Sequence, residues 1–312
     1  MTTFAFVFPG QGSQTVGMLD AWGDHPAVRD TLAEASDALG ADIGHLIHEG
    51  PKEQLDLTTN TQPVMLAAAV ACYRAWMAET GLAPALVAGH SLGEYSALVA
   101  AGSLTLADAL PLVRFRAQAM QEAVPVGVGA MAAILGLDAE LVRVTCAEVS
   151  AAVGEPVEAA NYNDPKQTVI AGTKGAVDQA CEALKGRGAK RALPLAVSAP
   201  FHSSLMKPAA ERLKERLLSV TLRAPSIPLV NNIDVAVQTE PDAIREALYR
   251  QAFGPVRWVE VVQAIRARGA THLFECGPGK VLAGLAKRID ASLVVGNVLD
   301  PATLAEAKGM LQ

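Results

Sequence analysis

Aromatic residues are scarce in this chain, only 4% of 312 positions, although just over half of its residues are hydrophobic. A core built from Ala, Val, Leu and Gly in place of large rings suits close packing of helices on a sheet. Cysteine is rarer still. Cys72, Cys146, Cys181 and Cys276 are scattered, with no C-x-x-C pair or Cys/His cluster, which excludes a disulfide framework and a structural zinc site and leaves thiols in a reducing compartment. Long apolar runs are absent too. No stretch of about eighteen apolar residues is available to span a bilayer. The N-terminal MTTFAFVFPGQGSQ has no basic segment and no extended apolar core, so no secretory leader is expected and the expected location is the cytoplasm. Positive charge is in deficit, 26 Lys and Arg against 32 Asp and Glu for a formal charge of -6, which argues against nucleic acid as a partner.

What is present is a strand–helix alternation. Thr3–Phe8 is an unbroken apolar run ending at Pro9-Gly10, as expected of a strand buried on both faces. Helical patterns follow at 26–39 and 62–79, a short strand at 85–88, and helices at 93–101 and 106–122. The middle changes rhythm: strand 130–137, helix 138–150, strands 156–161 and 168–171 around Asn163-Asp164-Pro165, helix 174–187 and strand 189–196. That β-α-β-β-α-β order is the split βαβ of a ferredoxin-like unit. The larger pattern then resumes with helix 204–220, strand 228–231, helices 242–251 and 259–268, strand 271–275 and the Gly277-Pro278-Gly279 turn. The predicted fold class is α/β: a larger α/β-hydrolase-like domain with a parallel sheet, residues 1–126 and 198–312, interrupted by a small ferredoxin-like subdomain at 127–197.

Gly89-His90-Ser91-Leu92-Gly93 fits G-x-S-x-G, with an apolar strand leading in and a helical sequence leading out. In such an elbow the glycines permit a tight turn that exposes the serine hydroxyl beside a helix N-terminus, where an oxyanion is stabilised. An ordinary glycine-rich turn is the alternative. The serine needs a base, and there are six histidines. His25, His45, His48 and His272 sit in segments with no other functional signal. His90 adjoins the nucleophile, but neighbours on a sharp elbow diverge. His202, in the non-helical Val197–Ser203 where the inserted unit returns to the larger one, is the more attractive candidate, because a cleft between domains is a common ligand site. Phe8-Pro9-Gly10-Gln11-Gly12-Ser13-Gln14 follows the first strand. It lacks the spacing of a phosphate loop, and one of its backbone N–H groups would serve as a second oxyanion donor.

These motifs, with Met120–Pro125, Gly129–Ala132, Pro200-Phe201-His202, Val230-Asn231-Asn232 and Gly277–Lys280, resemble those of the malonyl-CoA:acyl-carrier-protein transacylases of dissociated fatty-acid synthesis, in order along nearly the whole chain. The resemblance implies Ser91 as nucleophile, His202 as base and the N–H groups of Gln11 and Leu92 as oxyanion hole. It implies a backbone carbonyl, at Gln251, orienting the histidine in place of a third carboxylate. Arg116 would pair with the malonyl carboxylate, with Arg114 the adjacent competitor. Phe201 would disfavour a branched α-carbon, although Pro200 departs from the related Ala-Phe-His form.

The expected partners are malonyl-CoA as substrate and acyl carrier protein as acceptor, with no metal or redox cofactor, no nucleic acid and no membrane, and the expected state is a monomer. An acidic carrier meeting a net-negative enzyme requires a local basic patch, for which Lys185, Arg187, Lys190, Arg191, Lys280, Lys287 and Arg288 are candidates. A serine hydrolase or thioesterase, a polyketide loading enzyme and an idle carrier-binding module are the rival readings. The hydrolase fold would place an acid and then a histidine after the serine, with no ferredoxin-like insertion.

Overall fold

The computed structural model describes residues 2–312. Strands β1 (Phe4–Phe8), β2 (Leu86–Gly89), β7 (His272–Cys276) and β8 (Val294–Val298) form one parallel sheet in the order β2-β1-β7-β8. All five residues of β1 are buried, which explains its continuous apolar run. A strand in the middle of a helix-covered sheet has no solvent face on which to place polar residues. The 23-residue helix Thr58–Thr80 is buried along most of its length and packs Trp76 against the rings of Phe4 and Phe6.

The second sheet is antiparallel and comprises β3 (Gly129–Leu135), β4 (Val157–Asp164), β5 (Gln167–Thr173) and β6 (Arg191–Pro194), in the order β4-β5-β3-β6. Each crossover helix, Ala139–Val153 and Lys174–Gly186, skips over an intervening strand, which is the ferredoxin-like arrangement. The period of two decides its faces. Ala132 and Ile134 join the core beneath the two helices, whereas Met131 and Ala133 lie in a separate cluster with Val169, Val197 and Phe201. That second face looks toward the active cleft.

The strand expected at 228–231 shrinks to two isolated bridges, Leu229 parallel to Val87 and Val230 antiparallel to Val237. Pro228 has no N–H to donate, and the Asn231 N–H is spent on the Ala236 carbonyl, so the ladder cannot propagate. The helix expected over 204–220 is a short 3-10 turn, Ser204–Met206, followed by an α-helix from Lys207 to Leu218. The sequence reading also missed helices Ile43–His48, Lys52–Leu55, Val281–Ile289 and Pro301–Met310, and strand β8.

Candidate active site

Ser91 stands on a turn that only glycine neighbours allow. A Cβ at Gly89 would lie 1.9 Å from the Gly93 carbonyl, and one at Gly93 would lie 2.0 Å from the Phe8 carbonyl oxygen. Ser91 itself has φ of 53°, a left-handed conformation costly for a residue with a side chain. The turn is held from outside by Asn232. Its Oδ1 accepts the Ser91 N–H at 2.7 Å and its Nδ2 donates to the Gly89 carbonyl at 2.7 Å.

Of the six histidines, His202 reaches Ser91, with Nε2 2.6 Å from the Ser91 Oγ. Its Nδ1 lies 2.9 Å from the Gln251 carbonyl and 3.2 Å from that of Gly254. Carbonyls only accept, so Nδ1 carries the proton and Nε2 presents its lone pair to the serine hydroxyl. His202 is likewise left-handed, with φ of 59°, and 4% exposed. Burial, and then the nearby positive charge of Arg116, push its pKa down to about 3. The imidazole is therefore neutral and ready to take a proton throughout the neutral range. His90 turns away, its Nε2 2.9 Å from the Asn163 Oδ1 of β4. His25 and His48 face Glu79 and Asp20, and His272 faces Thr271.

A pH prediction follows. Acylation of Ser91 by an uncharged acyl thioester should remain nearly constant as pH falls from 8 to 5.5, whereas an exposed histidine base would lose most of its activity below its usual pKa of about 6.5. Rapid-quench measurement of the acylation rate checks this, and a fall centred near 6.5 would refute it. Linkage gives the same sign for stability. Below about pH 6.5 the unfolded chain binds a proton that the folded His202 refuses, so this residue's contribution to folding stability declines from there toward pH 3.

Arg116 is 2% exposed on the helix Leu106–Glu122. Its guanidinium donates only to neutral groups: the Gln62 Oε1 at 2.8 Å, the Ser91 Oγ at 3.1 Å and the Gln251 Oε1 at 3.2 Å. Its Nε has no partner among the described residues. Arg114 points elsewhere, donating to the Leu39 carbonyl at 3.2 Å. Arg116 is thus a buried cation with no carboxylate among its hydrogen-bond partners, beside the Ser91–His202 pair, an arrangement that can receive an anionic group.

These groups open into a cavity of about 660 Å³ between the two sheets, lined by Gln11, Ser91, Leu92, Arg116 and His202 on one side and by Met131, Asn161 and Val169 on the other. Phe201 lies at its wall and packs against both the main core and the cleft-facing cluster. The N–H groups of Gln11 and Leu92 take no part in the turn and loop hydrogen bonds around the elbow, and so are free for a ligand. The helix Gly93–Ala100 begins directly behind Leu92, adding its positive end to the same spot.

The family model "Acyl transferase domain" matches residues 5–288. The chain is similar to malonyl CoA-acyl carrier protein transacylase of Escherichia coli (strain K12), 54% identical over 98% of this chain and 99% of the relative. The chain belongs to this acyltransferase family. Among solved structures it is similar to the acyl-carrier-protein S-malonyltransferase of Burkholderia pseudomallei 1710b, with 67% identity, TM-score 0.96, and coverage of 98% and 99% of the two chains. It is also similar to a malonyl-transacylase solved with its type II PKS acyl-carrier protein, with 51% identity, TM-score 0.96, and coverage of 98% and 99%.

Sequence reasoning missed several groups that build this transacylase-family site. Asn232 was present in a quoted motif but had no role, and Glu94, Gln62 and the Gly254 carbonyl were not singled out. The side chain of Gln251 makes three hydrogen bonds, against the one that its carbonyl accepts from His202. It donates to the Ser91 carbonyl at 3.0 Å and to the Glu94 Oε2 at 3.1 Å. Glu94, 2% exposed, also accepts the Asn232 N–H at 2.9 Å, and burial pushes its pKa up to about 7. A charged residue on the otherwise apolar helix Gly93–Ala100 was the available signal for Glu94, whereas Gln251 sits among Arg245, Glu246 and Arg250 on its helix and gave none.

Proposed function

We propose that the chain transfers the malonyl group of malonyl-CoA to the phosphopantetheine thiol of acyl carrier protein in two half-reactions. The observation that carries this reading is the buried Arg116 guanidinium, bonded only to neutral partners and 3.1 Å from the Ser91 hydroxyl. A malonyl thioester brings the carboxylate that such a cation lacks, and a guanidinium can grip it with two parallel hydrogen bonds.

In the first half-reaction Ser91 Oγ attacks the thioester carbon while His202 Nε2 takes its proton. The carbonyl oxygen becomes an oxyanion held by the N–H groups of Gln11 and Leu92. Collapse of the intermediate breaks the carbon–sulfur bond. The departing coenzyme A sulfur receives the proton from His202, leaving a malonyl ester on Ser91. The carrier's thiol then enters, gives its proton to the same nitrogen and attacks the ester. The ester bond breaks, Ser91 recovers the proton, and the malonyl thioester leaves on the carrier. The Gln251 and Gly254 carbonyls stabilise the imidazolium formed in each half. Phe201 crowds the α-carbon and disfavours a branched acyl group. No step requires a metal or redox cofactor.

The reading takes residues 127–197 as the subdomain that closes one wall of the cleft, which is supported by the separate antiparallel sheet within that span. It takes the protein as a cytoplasmic monomer. All four cysteines are buried and unpaired, as in a reducing compartment, and among the described residues no helix is long and apolar enough to cross a membrane. Among the seven candidate docking cations, Lys185, Arg187 and Arg288 pair with Glu182, Glu148 and Asp164, and Lys287 binds the Ala291 and Leu293 carbonyls. Lys190, Arg191 and Lys280 remain the strongest candidates to meet an acidic carrier. Leu195 and Val281, neighbours of these residues in the chain, line the cleft.

The test has two stages. Malonyl-CoA alone should leave a malonyl ester that peptide mass spectrometry maps to Ser91, and added holo-carrier should discharge it with the malonyl group on the carrier. Raising ionic strength should slow the second stage with carrier far more than with free pantetheine. Hydrolysis in preference to transfer would favour the thioesterase reading, and equal salt sensitivity would remove the electrostatic docking argument.

A further inference from the structure

The side-chain amide of Gln251 is caught between the buried Arg116 guanidinium and the buried Glu94 carboxyl group. Its orientation is dictated by partners that have no choice of role. The Ser91 carbonyl, 3.0 Å away, can only accept, so the atom facing it is Nε2. The Arg116 guanidinium, 3.2 Å from the other end, can only donate, so the atom facing it is Oε1. Nε2 also meets the Glu94 Oε2 at 3.1 Å, and that oxygen is itself fixed by the Asn232 N–H at 2.9 Å. A flipped amide would set NH₂ against the guanidinium and Oε1 against both a carbonyl and a carboxylate. The Gln251, Glu94, Arg116 and Asn232 side chains are buried, so such a mismatch would be costly.

We propose that Glu94 and the Gln251 side chain are positioning residues for acyl-group selection: Glu94 locks the Gln251 amide, and the locked amide holds the Arg116 guanidinium toward Ser91. The inference rests on the malonyl-transfer reading. Gln251 thereby serves both halves of the site from one helical position. Its main-chain carbonyl orients the base, and its side chain orients the group that receives the substrate's carboxylate. Glu94 places a carboxyl group near Arg116, but at one remove. The guanidinium therefore has no direct ion pair to break when a carboxylate arrives. A glutamate bonded straight to Arg116 would compete with substrate, whereas an amide between them passes on orientation without occupying the substrate's place. Three further contacts hold the guanidinium's remaining edges: the Gln62 Oε1 at 2.8 Å, the Ser91 Oγ at 3.1 Å and the Tyr95 ring, whose centroid lies 5.6 Å from its central carbon.

The experiment measures kcat/KM for malonyl-CoA and for acetyl-CoA, which lacks the distal carboxylate. Gln251→Met keeps the carbonyl and nearly the same volume but removes the amide. It should lower the malonyl-to-acetyl ratio by about ten- to a hundred-fold. Glu94→Gln keeps an acceptor for the amide and removes the charge, so it should lower the ratio less than Gln251→Met does. In an Arg116→Ala background, neither substitution should change the ratio further, because there is no guanidinium left to position. Parallel losses for both substrates would overturn the proposal and leave the pair a purely structural role, as would an equal change of ratio without Arg116. If Gln251→Met does not fold by its thermal melt, Glu94→Gln carries the same comparison alone. A wild-type enzyme without preference for malonyl-CoA would instead overturn the functional reading beneath it.

Discussion

Ser91→Ala is expected to abolish the acyl-enzyme and to lower kcat by about 10³- to 10⁶-fold, while the protein still folds. The reason for the large effect is that the hydroxyl is the atom to which the acyl group becomes bound. His202, held by two carbonyls, has nothing else of suitable geometry to deprotonate. The reason for the intact fold is that the turn does not depend on the hydroxyl. Asn232 grips the Ser91 N–H and the Gly89 carbonyl, and Gly89 and Gly93 provide the close approach. Alanine would bear the same left-handed φ as serine, at a similar cost of about 1 kcal/mol. Peptide mass spectrometry after exposure to malonyl-CoA, together with a thermal melt, checks both halves. An adduct on another residue, or near-normal turnover by a folded variant, would disprove the assignment.

Arg116→Ala should separate substrate choice from chemistry. A malonyl carboxylate entering this cleft loses water, and the guanidinium is the group that replaces it. Removing one member of such a desolvated pair costs about 2–5 kcal/mol, or roughly thirty- to several-thousand-fold in kcat/KM. Acetyl-CoA has no carboxylate to strand, so its kcat/KM should fall far less or rise. Arg116→Lys should recover little, since an ammonium cannot form the planar two-bond grip and would not reach Gln62, Ser91 and Gln251 together. The positive charge also helps to hold the His202 pKa down, so the alanine variant should show its acid limb at higher pH than wild type. Comparison of the two substrates across pH measures both effects. A parallel fall for malonyl-CoA and acetyl-CoA would mean that Arg116 supports structure or acyl transfer in general.

The two features most legible beforehand are local. The elbow is a run of five residues whose glycines and flanking apolar strand carry its geometry, and the ferredoxin-like unit is an ordered succession of short periodic segments. The helix Pro26–Leu39 and the helix Leu106–Glu122 were read with the bounds they have, because proline at the first turn, a left-handed glycine after Leu39, and Thr105 as a side-chain cap punctuate them. Beyond Gly279 the reading stopped, although Val281–Ile289 is amphipathic and its Val281, Leu282 and Leu285 line the cleft.

By itself the sequence determined most of the longer elements before Gly279, the strand-to-helix turn that carries Ser91, and the small set of histidines and arginines from which partners could be drawn. Only the tertiary structure decided among them, because the deciding distances join residues far apart in the chain. His202 is 111 positions from Ser91, and Gln251 is 160. Arg116 and Arg114 differ by two positions, about 200° around a helix. Which of them enters the cleft depends on how that helix is rotated against its neighbours, and burial of Arg116 beside Gln62 resolves it. The role of Gln251 was the least readable. A main-chain carbonyl leaves no trace in residue type, and a glutamine side chain acquires meaning only when Glu94 and Arg116 are packed on either side of it.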